Sequence, residues 1–393
     1  MTVIKQINCV FLFLFLIVLS QTAYGQIPVN DPAWILQPAD TLGGTEEFNS
    51  SLNFTKKWFN QYPWGDYNLG AEIVLPANLI QTTGTTLKIK VDTLIPSVTR
   101  SNPNYHTGTP DNVTIVYQGG VLQSRMLGGS DVYKFGYLEI YAKYPTSYFA
   151  YWPAFWLWSG SCPPAPLSYN EIDICENAAH EAYTGTVMGT NSHLYSSGSC
   201  NPVTINTSNF LEITGLPLLS SAFHKYAIEW APDRMIYYFD DVAMRTVYDP
   251  TGVLIPQNAM SVILNFAVDP FAAFLPGDWN KLSVFPNYPQ HFDQPPVSYP
   301  AYFEIDYLRY YKLHTDCSTN LTICTPSTDY STRAVEKSIT TGGTGGCTPT
   351  FNPSTTASSW TLRATDNVLI GAGTTINPSG TGYVILETMA CPQ

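Results

Sequence analysis

The run Asn170-Glu171-Ile172-Asp173-Ile174-Cys175-Glu176-Asn177 sets three carboxylates within six residues and fills the positions between them with apolar side chains. That near-alternation reads as a β-strand. On a regular strand Glu171 and Asp173 share a face and Glu176 has the opposite parity. Solvent exposure of all three acids is at odds with the apolar residues between them. If one extra residue, Ile174 or Cys175, is absorbed in a β-bulge, Glu176 rejoins the other two, and bulges occur beside active sites to re-aim a side chain. Three acids on one face repel when ionised, which raises at least one pKa and favours a shared proton. A retaining glycosidase needs such a pair, one carboxylate to attack and one to donate a proton, about 5–5.5 Å apart. Straight-strand spacing places the outer Cα atoms ~15 Å or more apart, so the bulge, bending and inward-leaning side chains have to close the gap. Spacing alone leaves catalysis, calcium binding and a structural acid cluster all open.

Upstream, Tyr151-Trp152-Pro153-Ala154-Phe155-Trp156-Leu157-Trp158 gives Trp152, Trp156 and Trp158 one strand parity. They form either an aromatic platform for flat sugar faces or a buried aromatic core. From Ile27 to Leu313 the chain is a succession of short alternating or apolar runs punctuated by Gly, Pro, Asn and Asp, which predicts a sandwich or barrel. The clearest strands are 86–91, 137–142, 226–230, 235–239, 260–268 and 302–311. Ala231-Pro232-Asp233-Arg234 makes a hairpin turn and Asp240-Asp241 closes the next. After Leu313 Thr, Ser, Gly and Cys dominate to about Ser358, including Thr340-Thr341-Gly342-Gly343-Thr344-Gly345-Gly346. The expected organisation is a leader at 1–25, a main domain at 26–314, a linker region at 315–358 and a small β-rich module at 359–393.

The 393 residues carry 18 Lys plus Arg against 30 Asp plus Glu, a formal charge of −12, which disfavours nucleic acid and anionic membrane as partners. Hydrophobic residues at 45% exclude global disorder, and aromatics (14%) outnumber charged residues (12%), as suits many short strands and aromatic-lined surfaces. Lys5, the apolar run Val10 to Leu19 and Ala23-Tyr24-Gly25 read as an export signal cleaved after Gly25. No later stretch reaches the length of a membrane span. The expectation is a secreted, extracellular, soluble protein, monomeric.

Export places Cys162, Cys175, Cys200, Cys317, Cys324, Cys347 and Cys391 in an oxidising compartment. The expected pairs are Cys162 with Cys200, Cys317 with Cys324 and Cys347 with Cys391, leaving Cys175 free. Zinc is disfavoured because no Cys-x-x-Cys pair or His at ligand spacing accompanies them.

Phe135-Gly136-Tyr137-Leu138-Glu139, Trp152-Pro153-Ala154-Phe155-Trp156 and Glu171-Ile172-Asp173-Ile174-Cys175-Glu176 together resemble glycoside hydrolase family 16. Phe223 to Trp230, Leu264 to Val268 and Glu304 to Tyr311 agree in order, so the resemblance spans roughly Glu46 to Lys312. It implies an all-β jelly-roll sandwich of two curved antiparallel sheets, a concave substrate cleft and retention through a covalent glycosyl-enzyme. By position Glu171 matches the nucleophile, Glu176 the general acid/base, and Asp173 the acid that supports the nucleophile. The bulged spacing is similar to laminarinases, agarases and carrageenases and departs from the unbulged licheninase pattern. Trp152 and Trp156 match cleft tryptophans, whereas Trp158 has the parity without a firm counterpart. His193 and Arg125 resemble laminarinase residues that reach the cleft, with structural roles as their alternatives. Asp306 corresponds to an aspartate that holds a structural calcium in some members, its alternative being a plain sheet-edge carboxylate. The stretch Tyr62 to Asn68 departs from laminarinase text in a region that shapes the cleft. The C-terminal segment from about Ala364 resembles small β-rich appendages of secreted bacterial enzymes.

The sequence-based expectation is therefore an endo-acting retaining β-glycanase that needs no cofactor and hydrolyses β-1,3-glucan of the laminarin type. The alternatives are a galactan hydrolase of the same family, acting on agarose, porphyran or carrageenan, and a non-catalytic glucan-binding protein.

Overall fold

Strands form where period-two patterning and β-branched or aromatic residues coincide, and in the computed structural model five of the six strands named above lie inside strands at least as long, while 260–268 is observed as Ser261–Val268 with Met260 in an isolated bridge to Tyr133. The structure describes residues 33–39, 43–63, 65–68, 72–82, 86–103, 110–124, 132–146, 151–159, 170–176, 185–195, 205–208, 210–249, 251, 254–268, 299–324, 335–343, 347–354, 360–371, 373–380 and 384–392. The leader, Arg125, Cys162 and Cys200 lie outside these. Among the described residues no helix is long and apolar enough to cross a membrane. The chain divides into two compact units, one of Leu36–Tyr237 with Val247–Tyr310, the other of Tyr311–Gln393 with Tyr238–Thr246 and the residues up to Ile35.

The larger unit is an antiparallel jelly-roll β-sandwich. One array runs Trp58–Phe59, Pro110–Ser124, Ser261–Val268, Tyr151–Ser159, Asn170–Glu176 and Met188–Tyr195. The other pairs Thr86–Pro103 with Ala301–Leu313 and Gly136–Lys143 with His224–Ala231. Between the arrays lie Phe155, Leu157, Ile172, Val262, Leu264 and Phe266 from the first and Leu138, Ile140, Tyr226 and Ile228 from the second, all fully buried. These are the alternate positions of each strand, so the remaining alternates of the first array stand on its other face. The Asp240-Asp241 turn has positive φ at both residues, 44° and 67°, the conformation that a tight two-residue hairpin demands and Asp tolerates.

Residues 315–358, expected to be a linker, instead supply strands. Thr315–Ile323, Val335–Thr341, Trp360–Ile370 and Val384–Thr388 pair in parallel, in chain order, with Thr350–Phe351 and Thr375–Ile376 forming a second short parallel pair. Much of the Thr- and Ser-rich composition lies in the strands themselves, at Thr315, Ser318, Thr319, Thr322, Ser338, Thr340 and Thr341. Ile323, Ile339, Phe351, Trp360, Leu362 and Ala364 make the core, so the final segment does not bury its apolar residues alone.

The disulfides in this unit differ from the expected pairs: Cys317 joins Cys391 and Cys324 joins Cys347, whereas Cys175, in the larger unit, is free as expected, and buried. Cys317 lies on the Thr315–Ile323 strand and Cys324 just past its end, and seven strand steps separate them by ~20 Å, far beyond the ~7 Å limit for a bridge. Parallel stacking brings distant residues together instead. Met389 N–H donates to the Ala364 carbonyl, Ala364 pairs with Glu336, and Glu336 pairs with Asp316, the neighbour of Cys317. By loop-closure entropy the Cys317–Cys391 bridge, with a separation of 74, stabilises by about 4 kcal/mol and the Cys324–Cys347 bridge, with 23, by about 3. Calorimetry of the full chain should show Cys317→Ser/Cys391→Ser lowering the melting transition of this unit more than Cys324→Ser/Cys347→Ser does.

Candidate active site

The Asn170–Glu176 strand lies between Tyr151–Ser159 and Met188–Tyr195, antiparallel to both. Glu171 stands opposite Trp158 on one side and His193 on the other, and Asp173 stands opposite Trp156 and Asn191. The register then slips. Cys175 meets Phe155 and Glu176 meets Ala154, so the five steps from Glu171 to Glu176 span the four from Trp158 to Ala154 and from His193 to Gly189. Ile174 and Cys175 both turn into the core at 0% exposure, which is the bulge the spacing called for. It shortens the ladder distance between Glu171 and Glu176 to ~13 Å of Cα separation, a gap that two glutamates leaning inward can close.

Glu171 and Glu176 are half-buried on the open face and Asp173 is buried, at 4% exposure. Glu176 has Ala154 and Gly189 as ladder neighbours, the two smallest residues of the row, which leaves space beside its carboxyl. Because Ala154 is small, the indole of Trp152 reaches past it and its Nε1–H donates to Glu176 Oε1 at 2.8 Å. Trp158 is half-buried and meets Trp156 edge-on at 6.0 Å between ring centroids. Trp156 itself is only 7% exposed, packed with Tyr62, Val74, Val121, Ala154 and Ile263, and its Nε1–H donates to Asn265 Oδ1 at 2.7 Å. The expected three-ring platform thus has an embedded middle member. Tyr62, from the stretch that departs from laminarinase text, is what covers Trp156 from the side, with Tyr62 and Gly65 exchanging backbone hydrogen bonds to form the covering turn.

His193 Nε2 lies 2.8 Å from Asn191 Nδ2 and 3.4 Å from Asp173 Oδ2. Neutral, Nε2 accepts from Asn191; as imidazolium, its Nε2–H donates to Asp173. Burial disfavours the charged ring, but the Asp173 hydrogen bond and the fields of Glu171, Asp173 and Glu176 outweigh it and push the His193 pKa up to about 9. The half-buried ring is thereby drawn toward its charged form among three acids. Oxygens of Glu171 and Asp173 and a nitrogen of His193 all lie within 4.8 Å of one another, a set that offers three ligand atoms, with the imidazole bound to compete for its own proton.

Asp306 lies elsewhere. Its carboxyl pKa is raised by partial burial and by the nearby Glu47, and lowered in part by Arg309, whose guanidinium grips Glu47 bidentately at 2.8 and 3.0 Å. Asn191, Asn265 and Tyr144 escaped the sequence reading. Asn191 shares the parity of His193 and Asn265 interrupts an apolar strand, both legible signals, whereas nothing near Tyr144 marks it.

The family Glycosyl hydrolases family 16 matches residues 72–270, just over half of the chain, a span that contains Trp152, Glu171, Asp173, Glu176 and His193. Endo-1,3-1,4-beta-glycanase EglC of Rhizobium meliloti (strain 1021) is 31% identical over 136 residues, 34% of this chain and 25% of that protein. The chain therefore spans about a quarter of the length of the curated relatives it matches. Among solved structures, the kappa-carrageenase from Pseudoalteromonas carrageenovora aligns with a TM-score of 0.51 at 19% identity, covering 71% of this chain and 94% of that one. Porphyranase B from Zobellia galactanivorans aligns at 0.50 and 16%, covering 73% and 96%. At these identities the likeness is one of fold.

The raised His193 pKa has a sign that can be checked. A folded pKa of about 9 against the ordinary 6.5 means that the stabilisation is complete below pH 6.5 and is lost as pH rises through about 9. Urea unfolding at pH 6 and pH 10 should show wild type losing on the order of 2–3 kcal/mol more than His193→Gln across that interval.

Proposed function

The chain belongs to glycosyl hydrolases family 16, and from that premise we propose that it is a secreted, endo-acting, retaining β-glycanase that cuts β-1,3-glucan of the laminarin type. The observation that carries the reading is the bulged strand, which sets Glu171, Asp173 and Glu176 on one open face with Trp158 beside the first and the Trp152 N–H on the last.

In the proposed reaction a Glu171 oxygen attacks the anomeric carbon while Glu176 gives its proton to the departing glycosidic oxygen, leaving a covalent glycosyl ester on Glu171. Glu176, now a carboxylate, takes a proton from water as that water attacks the same carbon and frees Glu171. Two inversions give net retention. Ala154 and Gly189 leave room for the sugar beside Glu176, and the Trp152 N–H stabilises Glu176 in its carboxylate stage. Asp173, in contact with His193, stands next to the nucleophile and keeps His193 on the cleft face. Trp152 and Trp158 offer ring faces for sugar stacking.

The choice of glucan is supported by the partial likeness to endo-1,3-1,4-beta-glycanases and by the charge balance: 18 basic against 30 acidic residues suits a neutral polysaccharide better than a strongly sulfated one. No metal enters this chemistry, and export follows from the leader.

Reducing-end release on laminarin, mixed-linkage β-glucan, agarose, porphyran and carrageenan tests the proposal. Laminarin should be cut, with Glu171→Gln and Glu176→Gln each reducing the rate by ~10²- to 10⁴-fold. Release from a galactan alone overturns the substrate and keeps the mechanism, and silence across the panel overturns the enzyme in favour of a binding protein. Proton NMR of early products should show the β-anomer first; an α-anomer first would sink the covalent route. Trp152→Phe, which keeps the ring and removes the N–H, should lower kcat more than it raises KM.

A further inference from the structure

The bulge that places Glu176 has a polar contact beneath it that the reaction does not use. Cys175, the residue before Glu176, turns into the core and its Sγ is hydrogen-bonded to the hydroxyl of Tyr144, both groups being wholly buried. Tyr144 follows the Gly136–Lys143 strand of the opposite array, and its ring packs against Tyr226 and Phe303 of that array at 5.2 and 5.0 Å between centroids. Its backbone N–H donates to the Leu219 carbonyl. The contact therefore ties the irregular point of the cleft strand to a fixed ring on the other side of the sandwich.

A β-bulge interrupts the ladder and leaves its extra residue without regular pairing, so the local backbone needs another constraint to hold one orientation. An apolar side chain at position 175 supplies packing without direction, whereas a thiol bonded to a hydroxyl fixes both distance and angle. Burial keeps both groups protonated: the Cys175 and Tyr144 pKa values are pushed well up, chiefly by desolvation, so the pair is a neutral hydrogen bond and the thiol is no nucleophile.

We propose that the Tyr144–Cys175 hydrogen bond is a positioning device that sets the direction of Glu176 from beneath the sheet, working with the Trp152 N–H that holds the same carboxyl from the side. Tyr144 and Cys175 touch no substrate and act through Glu176. This inference rests on the glycanase reading for its kinetic consequences and on the fold alone for its structural one.

Glu176 is surrounded by Asp173 and Glu171 on its own strand, His193 on the next, Trp152 Nε1–H on the other side, and Cys175 and Tyr144 below. A tilt of its carboxyl changes its distance to all of them, so its titration reports its position without any substrate. The test uses the full chain with ¹³C-carboxyl glutamate, the Glu176 resonance being assigned by its absence in Glu176→Gln. Tyr144→Phe and Cys175→Ala should each shift the Glu176 midpoint in the same direction, and the double variant should shift it no further. Cys175→Ser, which keeps a hydroxyl partner for Tyr144, should return it toward wild type. On the polysaccharide that wild type cleaves, kcat should fall ~10-fold or more in Tyr144→Phe and Cys175→Ala, with KM little changed and Cys175→Ser recovering most of the rate.

A Glu176 midpoint that stays at the wild-type value in both Tyr144→Phe and Cys175→Ala overturns the proposal, as do shifts that add in the double variant. Melting temperatures guard against a purely structural effect, since a loss of stability with an unmoved Glu176 titration counts against positioning. Silence of wild type on every polysaccharide overturns the glycanase reading, and the titration still decides whether the buried pair aims Glu176.

Discussion

A strand of period two cannot put Glu171, Asp173 and Glu176 on one face, and the whole site depends on the extra residue that breaks that period. The break is local. Before it, Ile172 points inward and Asp173 outward as any strand requires; after it, Ile174 and Cys175 both point inward and Glu176 emerges beside Ala154. Everything on the open face is then indexed to that step: His193 and Trp158 flank the acid before it, and the two smallest neighbours flank the acid after it. The apolar side chains of the bulge anchor it in the core, so the core residues and the acids are specified by the same seven-residue segment.

Charge is arranged around the bulge with equal economy. Three carboxylates crowd one strand face, and a half-buried imidazole is drawn toward its charged form beside them. Asn191 keeps a bond ready for the ring when it is neutral, so the site has a hydrogen-bonded arrangement in either protonation state of His193. Hydrogen bonds from Trp152 and Trp156 use indole N–H groups that an aromatic core would otherwise have left to find partners elsewhere.

Much of this was legible in the chain. Parity and apolar spacing around Glu171 and Asp173 required either a scattered set of acids or a bulge, and turn residues such as Asp240-Asp241 announced where strands end. Long-range consequences were not legible. Trp156 shares its parity with Trp152 and Trp158, yet Tyr62, nearly a hundred residues earlier, covers it, and no local pattern encodes that cover. Tyr144 lies in no motif and matters only because the opposite array brings it under Cys175. The cysteine pairs follow from the fold and not from the chain: parallel stacking makes neighbours of residues separated by a whole strand and its return. Thr-rich composition, which suits a tether, suits short strands equally well, because Thr is β-branched.

The Cys317–Cys391 bond makes the second unit a covalently closed circuit, entered at residue 317 and left at residue 391. Tension applied along the backbone from outside crosses from one sulfur to the other and bypasses the 73 residues between them. Backbone tension that enters at Cys317 and leaves at Cys391 is not carried along the strands inside that loop.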